Sequence, residues 1–596
     1  AAEEAIVAAI DDRQPAGSAA TPPGTLSRRQ LFRRAGALGG AAVFGGALAS
    51  LLAACGGGTT ASPTTSTSSG STSTTTTSGS TGGGAGTPAA AGAATPSGAA
   101  SSSTATTAGG PVQRGGTMTW AYTAPPMKLD PVWTQALVDG TVLSQIVDAL
   151  GRANKDGSAI EPALAQKWDV SADGLTYTYH LRPSVKFHDG STMTADDVVA
   201  SLNRNKTMGS YMWQLQEAQS IDKVDDQTVK VTLTTKVASF VARMATISNG
   251  IFPASQIQQT GKNEFTNPIG TGPFKLKEWV RNDHLTLDKN PNYWDNAPDG
   301  QPYPYLDEII IKQVAEDTTQ VLQVQAGQLN GGSAPYSQVA TLKTDGRGQI
   351  AIFPQQQVYF MVVQVTKPPF DDVKVRQALS LALDRKALVD RVTAGTAQIA
   401  NSFFPKGTLD WDPTLSLPFD VNQAKQLISQ SKYASNAPTA KLQFPSGSTV
   451  GHDNAVLVQQ MWQQVGINTT LEQVESSTLA ANWYKGDFES ISGYQWTNGM
   501  ADPDQLVEFF FVTPRMNSGY QPSQQASDLA TQAAQELDPN KRQQDYFQIQ
   551  QTYNQDVGGT ISLYYTVSVN YLSKNVRDFY RSPLGQPWWW TTWLAK

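Results

Sequence analysis

The sequence predicts a mixed α/β protein of at least two domains, carried on a long tether behind an export leader. Three observations predict it. At 596 residues the chain is too long to organise around one hydrophobic core. From Arg114 to the C-terminus, strand-like and helix-like segments alternate. Before Arg114 the chain has a different composition, with no charged residue after Arg34. Hydrophobic residues make up 39% of the chain and mean hydropathy is −0.33, which describes a soluble protein and not a polytopic membrane protein. The balance of 44 basic against 50 acidic residues gives no basic footprint for nucleic acid.

The elements follow in chain order. In "SRRQLFRRAGALGGAAVFGGALASLLAAC" the arginines 28, 29, 33 and 34 precede an uncharged run, the layout of a secretory signal. Ser27 to Arg33 resembles the twin-arginine export motif, which is read by a receptor. Five glycines in the run argue against a membrane-spanning helix, although about 20 residues suffice in length to cross a bilayer. Leu52-Ala53-Ala54-Cys55 looks like a lipobox, and Cys55 is the only cysteine. The expectation is a signal peptide over 1–54 and lipidation of Cys55, which places the protein on the outer side of the cell membrane. Residues 55–112 are nearly all Gly, Ser, Thr, Ala and Pro and read as a flexible linker. Its root-mean-square span is roughly 40 Å.

In the body, "GGTMTWAY" (115–122), "LTYTYHLRPSVKF" (175–187, broken by Pro183), "TVKVTLTT" (228–235) and "DEIIIKQV" (307–314) read as strands. Thr194, with Asp197 three residues on, reads as the cap of a helix. "DDVKVRQALSLALDRKALVDRVTAG" (371–395) reads as one helix, with acids at its start and Gly395 at its end.

Five further segments carry a resemblance: residues 161–204, "NPIGTGPFKLKEW" (267–279), "NPNYWD" (290–295), "KPPFDDVKVRQALSLALDRKALVD" (367–390) and "QWTNGMADPDQLVEFFF" (495–511). Together and in this order they resemble family 5 of the solute-binding components of bacterial ABC importers, the dipeptide, oligopeptide and nickel-binding type. The resemblance implies a two-lobed periplasmic-binding-protein fold (type II, cluster C-like). It places lobe 1 at 113–365 plus 560–596, with a subdomain near 155–265, and lobe 2 at 366–559. Hinge crossings are expected near Gln364–Phe370 and Gly558–Leu563. It also implies a permease and an ATPase as partner chains, no cofactor, no metal and no enzymatic activity.

The candidate ligand-binding residues rest on the same resemblance. Trp496 stands where the family lines its pocket, with Gln495 and Asn498 beside it; a core tryptophan is the alternative. Gly499 falls where dipeptide binders carry the aspartate that holds the peptide amine. Asp502 and Pro503 match a structural Asp-Pro. Phe444 falls on the arginine that holds the ligand carboxylate. Without both charges a buried zwitterion loses its partners, which favours a neutral polar ligand. Tyr211 and Trp213 belong to a loop near the pocket. "PWWWTTW" (587–593) reads as packing, with an exposed stacking surface as the sharper alternative.

No HExxH, GxSxG or Walker loop occurs, and "IGTGP" lacks the Lys-Ser/Thr of a phosphate loop. The expected function is capture of a peptide-like or other oligomeric solute for a membrane permease. An oligosaccharide receptor of the same fold, a cell-surface hydrolase and a transporter-free sensor are the competing readings.

Overall fold

The computed structural model describes residues 111–596 apart from 135, 437–438, 498 and 513–517. The leader, Cys55, the tether up to residue 110 and Asn498 lie outside the described residues.

The fold is organised by one eleven-stranded mixed sheet. Two long strands run through its middle, Gly348–Val363 and Thr560–Ser573, paired antiparallel. On one side the sheet continues through Gly331–Ser333, Thr117–Tyr122, Glu308–Gln313, His284–Lys289 and Phe274–Val280. On the other it continues through Ser490–Thr497, Ala440–Pro445 and Thr469–Val474. The expected strands at 115–122 and 307–314 are therefore parallel neighbours, Trp120 opposite Ile311.

Side chains along the first long strand alternate between two cores, as the two-residue period of a strand requires. Val358, Phe360 and Val362 enter one hydrophobic cluster with Phe403, Leu506 and Tyr546. Tyr359, Met361 and Val363 enter the opposite one with Leu379, Leu442 and Trp462. Nearer its start, Ala351 and Phe353 belong to a third core with Trp120, Ile311 and Trp589. The same strand thus serves both lobes. Its pairing with the second long strand breaks register between Pro354 and Val358. Ile561, Leu563 and Tyr564 of the second long strand join the cluster of Tyr359, Met361 and Val363, and Tyr565 joins that of Val358 and Phe360.

Three glutamines fill the register break, and each is tied down. Gln355 Nε2 donates to the Ser582 carbonyl at 3.4 Å. Gln356 Nε2 donates to the carbonyls of Gly157 (3.3 Å) and Gly407 (3.2 Å). Gln357 bonds the hydroxyls of Thr497 and Thr566.

A four-stranded antiparallel sheet, Ala165–Val170, Thr176–Leu181, Thr228–Leu233 and Ala218–Asp225, forms the subdomain. Tyr177, Tyr179 and Leu181 alternate into its core. The helix Ala195–Thr207 packs there as well, and its Asp197 accepts the Thr194 backbone N–H at 2.8 Å. The expected single helix over 371–395 is two, Val373–Leu381 and Arg385–Val392. Asp384 causes the split: its carboxylate accepts the Ala387 N–H at 2.9 Å and starts a new helix. Arg385, now turned inward, donates to the carbonyls of Ser562 (2.8 Å) and Ser380 (3.0 Å).

Candidate functional site

Between the two lobes lies a cavity of about 510 Å3. Its first wall is the helix Leu137–Ile146 and the chain that follows. Leu137, Gly140 and Ser144 line it from one helix face, as spacings of three and four dictate. The second wall is the end of the strand Ser490–Thr497, where Gln495, Trp496 and Thr497 meet Gly499, Gln505 and Phe509. The third is the C-terminal tail, where every second residue lines the space: Ser582, Leu584, Gln586, Trp588 and Trp590.

Trp496 does two jobs that the sequence presents as alternatives. Its ring packs edge-on against Phe509 (5.6 Å) and Phe510 (5.4 Å) in the lobe 2 core, and it also lines the cavity. Gln495 beside it is exposed. Gly499 lines the cavity and donates its N–H to Gln505 Oε1 at 3.1 Å. Tyr211 reaches the lining as well, with burial pushing its phenol up to about 12. Trp213 and Phe444 are not among the lining residues. Trp213 is buried between the subdomain and lobe 2, edge-on to Phe509 at 5.9 Å and under the Arg243 guanidinium. Phe444 is buried in the lobe 2 core against His452 at 5.5 Å. Its strand period turns it inward, which a loose alignment does not reveal.

Sequence reading missed the two charged groups of the lining, Asp148 and Arg152. Asp148 accepts from Thr271 Oγ1 (2.9 Å), Trp294 Nε1 (2.9 Å) and Tyr293 Oη (3.3 Å). Burial raises its carboxyl above the usual range, against the pull of these donors and of Arg152. Arg152 Nη1 bonds Asp295 Oδ2 at 2.7 Å. The partners come from "IGTGP" and "NPNYWD", so those stretches build the wall beside the cavity. A sequence scan for ligand contacts passes over them because each residue looks structural alone.

Beside the cavity the lobes are latched. Asp504 of lobe 2 accepts from Arg243 Nη2 (2.7 Å) and Ser239 Oγ (2.6 Å) of the subdomain, all three buried. Arg243 also bonds Glu217 at 2.9 Å. Burial works to raise the Asp504 carboxyl, but the Arg243 charge, the Ser239 hydroxyl and Arg542 outweigh it and hold it low. The Ala238 N–H donates to the Ala534 carbonyl across the same seam at 2.8 Å. Asp502 is bound in two-pronged fashion by Arg542, 2.7 Å on each oxygen, which gives the Asp-Pro its structural role. Among the described residues no cluster of three or more His, Cys, Asp or Glu is placed to hold a metal ion.

A two-lobed α/β frame with an interlobe cavity defines a protein of the periplasmic-binding class. The particular family follows from comparison: residues 159–518 match the profile described as bacterial extracellular solute-binding proteins, family 5 middle, and the chain belongs to that family. It is similar to heme-binding protein A of Haemophilus influenzae, 30% identical over 421 residues, covering 64% of this chain and 74% of that one. Glutathione-binding protein GsiB of Escherichia coli O1:K1 is 27% identical over 469 residues, covering 76% of this chain and 90% of that one. In fold it resembles the periplasmic binding protein DppA of Helicobacter pylori, solved with the peptide STSA. That likeness has a TM-score of 0.70 at 24% identity and covers 81% of this chain and 99% of that one. Among the described residues no helix is long and apolar enough to cross a membrane.

Proposed function

We propose that this chain is the receptor of an ABC import system, capturing a peptide-like or other oligomeric solute between its lobes and presenting it, unaltered, to a membrane permease. The observation that carries this reading is the cavity itself. It is lined from both lobes, which are joined through paired strands, and its volume lies within the roughly 300–1,000 Å3 usual for small-molecule sites. The names of relatives that bind heme, glutathione and a tetrapeptide support a solute of that size. In this reading lobe 1 comprises 113–355 and 566–596, with its subdomain near 155–265, and lobe 2 comprises 358–565. The register break at Gln355–Gln357 is the hinge. Cys55 carries the lipid, and the tether up to residue 112 gives the globule its reach from the membrane surface.

Two experiments test this. A thermal-shift screen of peptide and sugar panels, followed by small-angle scattering on each hit, is expected to show stabilisation together with compaction. Release of altered product in the same incubations would replace the receptor with a hydrolase. Radiolabelled fatty acid is expected on the wild-type chain and not on Cys55→Ser; equal labelling of both refutes the anchor.

A further inference from the structure

We propose that Trp588 and Trp590 form a ring-binding subsite of the cavity, and that its occupant is an uncharged, hydroxylated sugar ring at one end of the ligand. The inference rests on the receptor reading and names the chemistry of what is received. It begins with the run of three tryptophans, 588–590. Trp589 is fully buried in the lobe 1 core beside Trp120, at 5.9 Å, and Trp593 is buried with its indole N–H on Asp578. Packing accounts for those two. Trp590 is half-buried against the same core and Trp588 is half-buried beside it, and the alternation of the tail brings both to the cavity wall.

The two rings stack on each other with centroids 5.1 Å apart and 24° between planes. Tyr580 braces Trp588 edge-on at 5.4 Å. The platform is therefore rigid before any ligand arrives, so little ordering is left to oppose binding. Neither indole N–H has a partner among the described residues. The Gln586 side-chain carbonyl, in the same wall, is buried and without a partner. A buried polar atom is ordinarily satisfied, so the Gln586 carbonyl is an open position for a donor on a ligand, and the half-buried tryptophans leave their N–H groups open to acceptors.

Charge selects among ligands. The lining holds one acid and one base, Asp148 and Arg152: Asp148 is engaged by three donors and Arg152 Nη1 by Asp295, while Arg152 Nε is buried without a partner among the described residues. Gly499 and Phe444 stand where charged clamps would be needed. A zwitterion enclosed here would leave at least one charge unmatched, at a cost that a neutral polyol avoids. Flat aromatic faces meet the C–H face of a pyranose, while the indole N–H groups and the Gln586 and Gln495 amides meet its hydroxyls.

Titration calorimetry on the intact chain with cellotriose, maltotriose, trialanine and Gly-Phe tests this, alongside scattering for closure. The wild type is expected to bind and close on a neutral trisaccharide. Trp588→Ala and Trp590→Ala are each expected to weaken that binding by about 10-fold or more, with Trp588→Phe recovering most of it at a melting temperature close to wild type. Because the wild-type ranking of sugar over peptide is a separate readout, a variant that fails to fold does not shield the proposal. Closure on trialanine or Gly-Phe without any response to the trisaccharides overturns the sugar assignment and leaves the receptor standing. Loss in the tryptophan variants confined to Gly-Phe reassigns the platform to an aryl side chain, which also overturns it. No binding and no closure with any of the four overturns subsite and receptor together.

Discussion

Asp410 is a fully buried carboxyl group, with no well-aligned hydrogen-bond partner for either oxygen among the described residues. Burial pushes its pKa up to about 7 against the pull of the nearby Thr408 hydroxyl, with the Asp502 charge adding to the rise and Arg542 opposing it. The sign follows from linkage. Below about pH 4 the group is protonated whether the chain is folded or not. Between there and pH 7 the folded form holds the extra proton, so stability falls as pH rises and stays reduced above 7. Asp410→Asn removes the penalty. The variant is expected to match wild type near pH 4 and to gain on the order of a few kcal/mol at pH 8, read by denaturant melts at the two pH values. His188 works the opposite way. Its Nε2 bonds the Gly272 carbonyl at 3.0 Å and its Nδ1 accepts the Gly270 N–H at 3.3 Å, which fixes a neutral ring. Burial lowers its pKa to about 4. Stability is therefore lost as pH falls from 6.5 toward 4. His284, exposed and bonded to Asp283, is raised instead. Histidine hydrogen–deuterium exchange followed by mass spectrometry is expected to separate the two, and a His188 midpoint near 6.5 would contradict the buried bridge.

At the scale of elements, the turn "IGTGP" decides where the cavity wall stands. A Cβ on Gly270 would lie 2.0 Å from the Ile146 carbonyl oxygen, and one on Gly272 would lie 2.5 Å from the Ile146 carbonyl carbon. The close approach lets the Gly272 N–H bond Ile146 at 2.9 Å and sets Thr271 Oγ1 on Asp148. Gly270→Ala has no flexible neighbour to displace, so backbone must move. The expected cost is about 2 kcal/mol or more in unfolding, with weakened ligand binding because Asp148 shifts with its partners. The reverse result, wild-type melting with wild-type affinity, would mean that the turn is not what holds the wall. This turn also shows what was legible beforehand. Glycine and proline marked it as a turn, alternation marked the strands, and Thr194 with Asp197 marked a helix start. Asp384 was read as part of a continuous helix because apolar spacing persists across it, although its carboxylate starts a second one. In the site, Trp496 was reached by resemblance. Trp588 and Trp590 stand in the sequence as part of an aromatic cluster, and the period of two that separates them from Trp589 is the signal that points them to the cavity. Asp148 and Arg152 carry no local signature, since their meaning comes from partners more than a hundred residues away.

At the scale of the whole molecule, the interlobe cavity depends on contacts that have nothing to do with a ligand. Asp504 is held by Arg243 and Ser239 across the seam, and Trp213 lies on Phe509 beside it. A receptor whose lobes attract each other spends part of its time closed when empty. The apparent affinity for a solute then scales with the fraction of molecules in a binding-competent arrangement. Asp504→Asn keeps the shape and removes the charge, leaving Arg243 with Glu217 alone. Breaking a buried pair costs about 3–5 kcal/mol, and here that cost falls partly on folding and partly on closure. The variant is expected to scatter as a more open particle without solute and to bind more weakly, with the loss mainly in a faster off-rate. Saturating solute is expected to restore the compact profile, because ligand contacts bridge the same gap. Acid is expected to mimic the substitution. With its pKa held below the ordinary carboxylate value, Asp504 contributes fully above about pH 4, and its contribution drains away only as pH falls below that. If Asp504→Asn and wild type give the same scattering at pH 7 and the same dissociation rate, the seam is mere contact and closure belongs to the ligand alone.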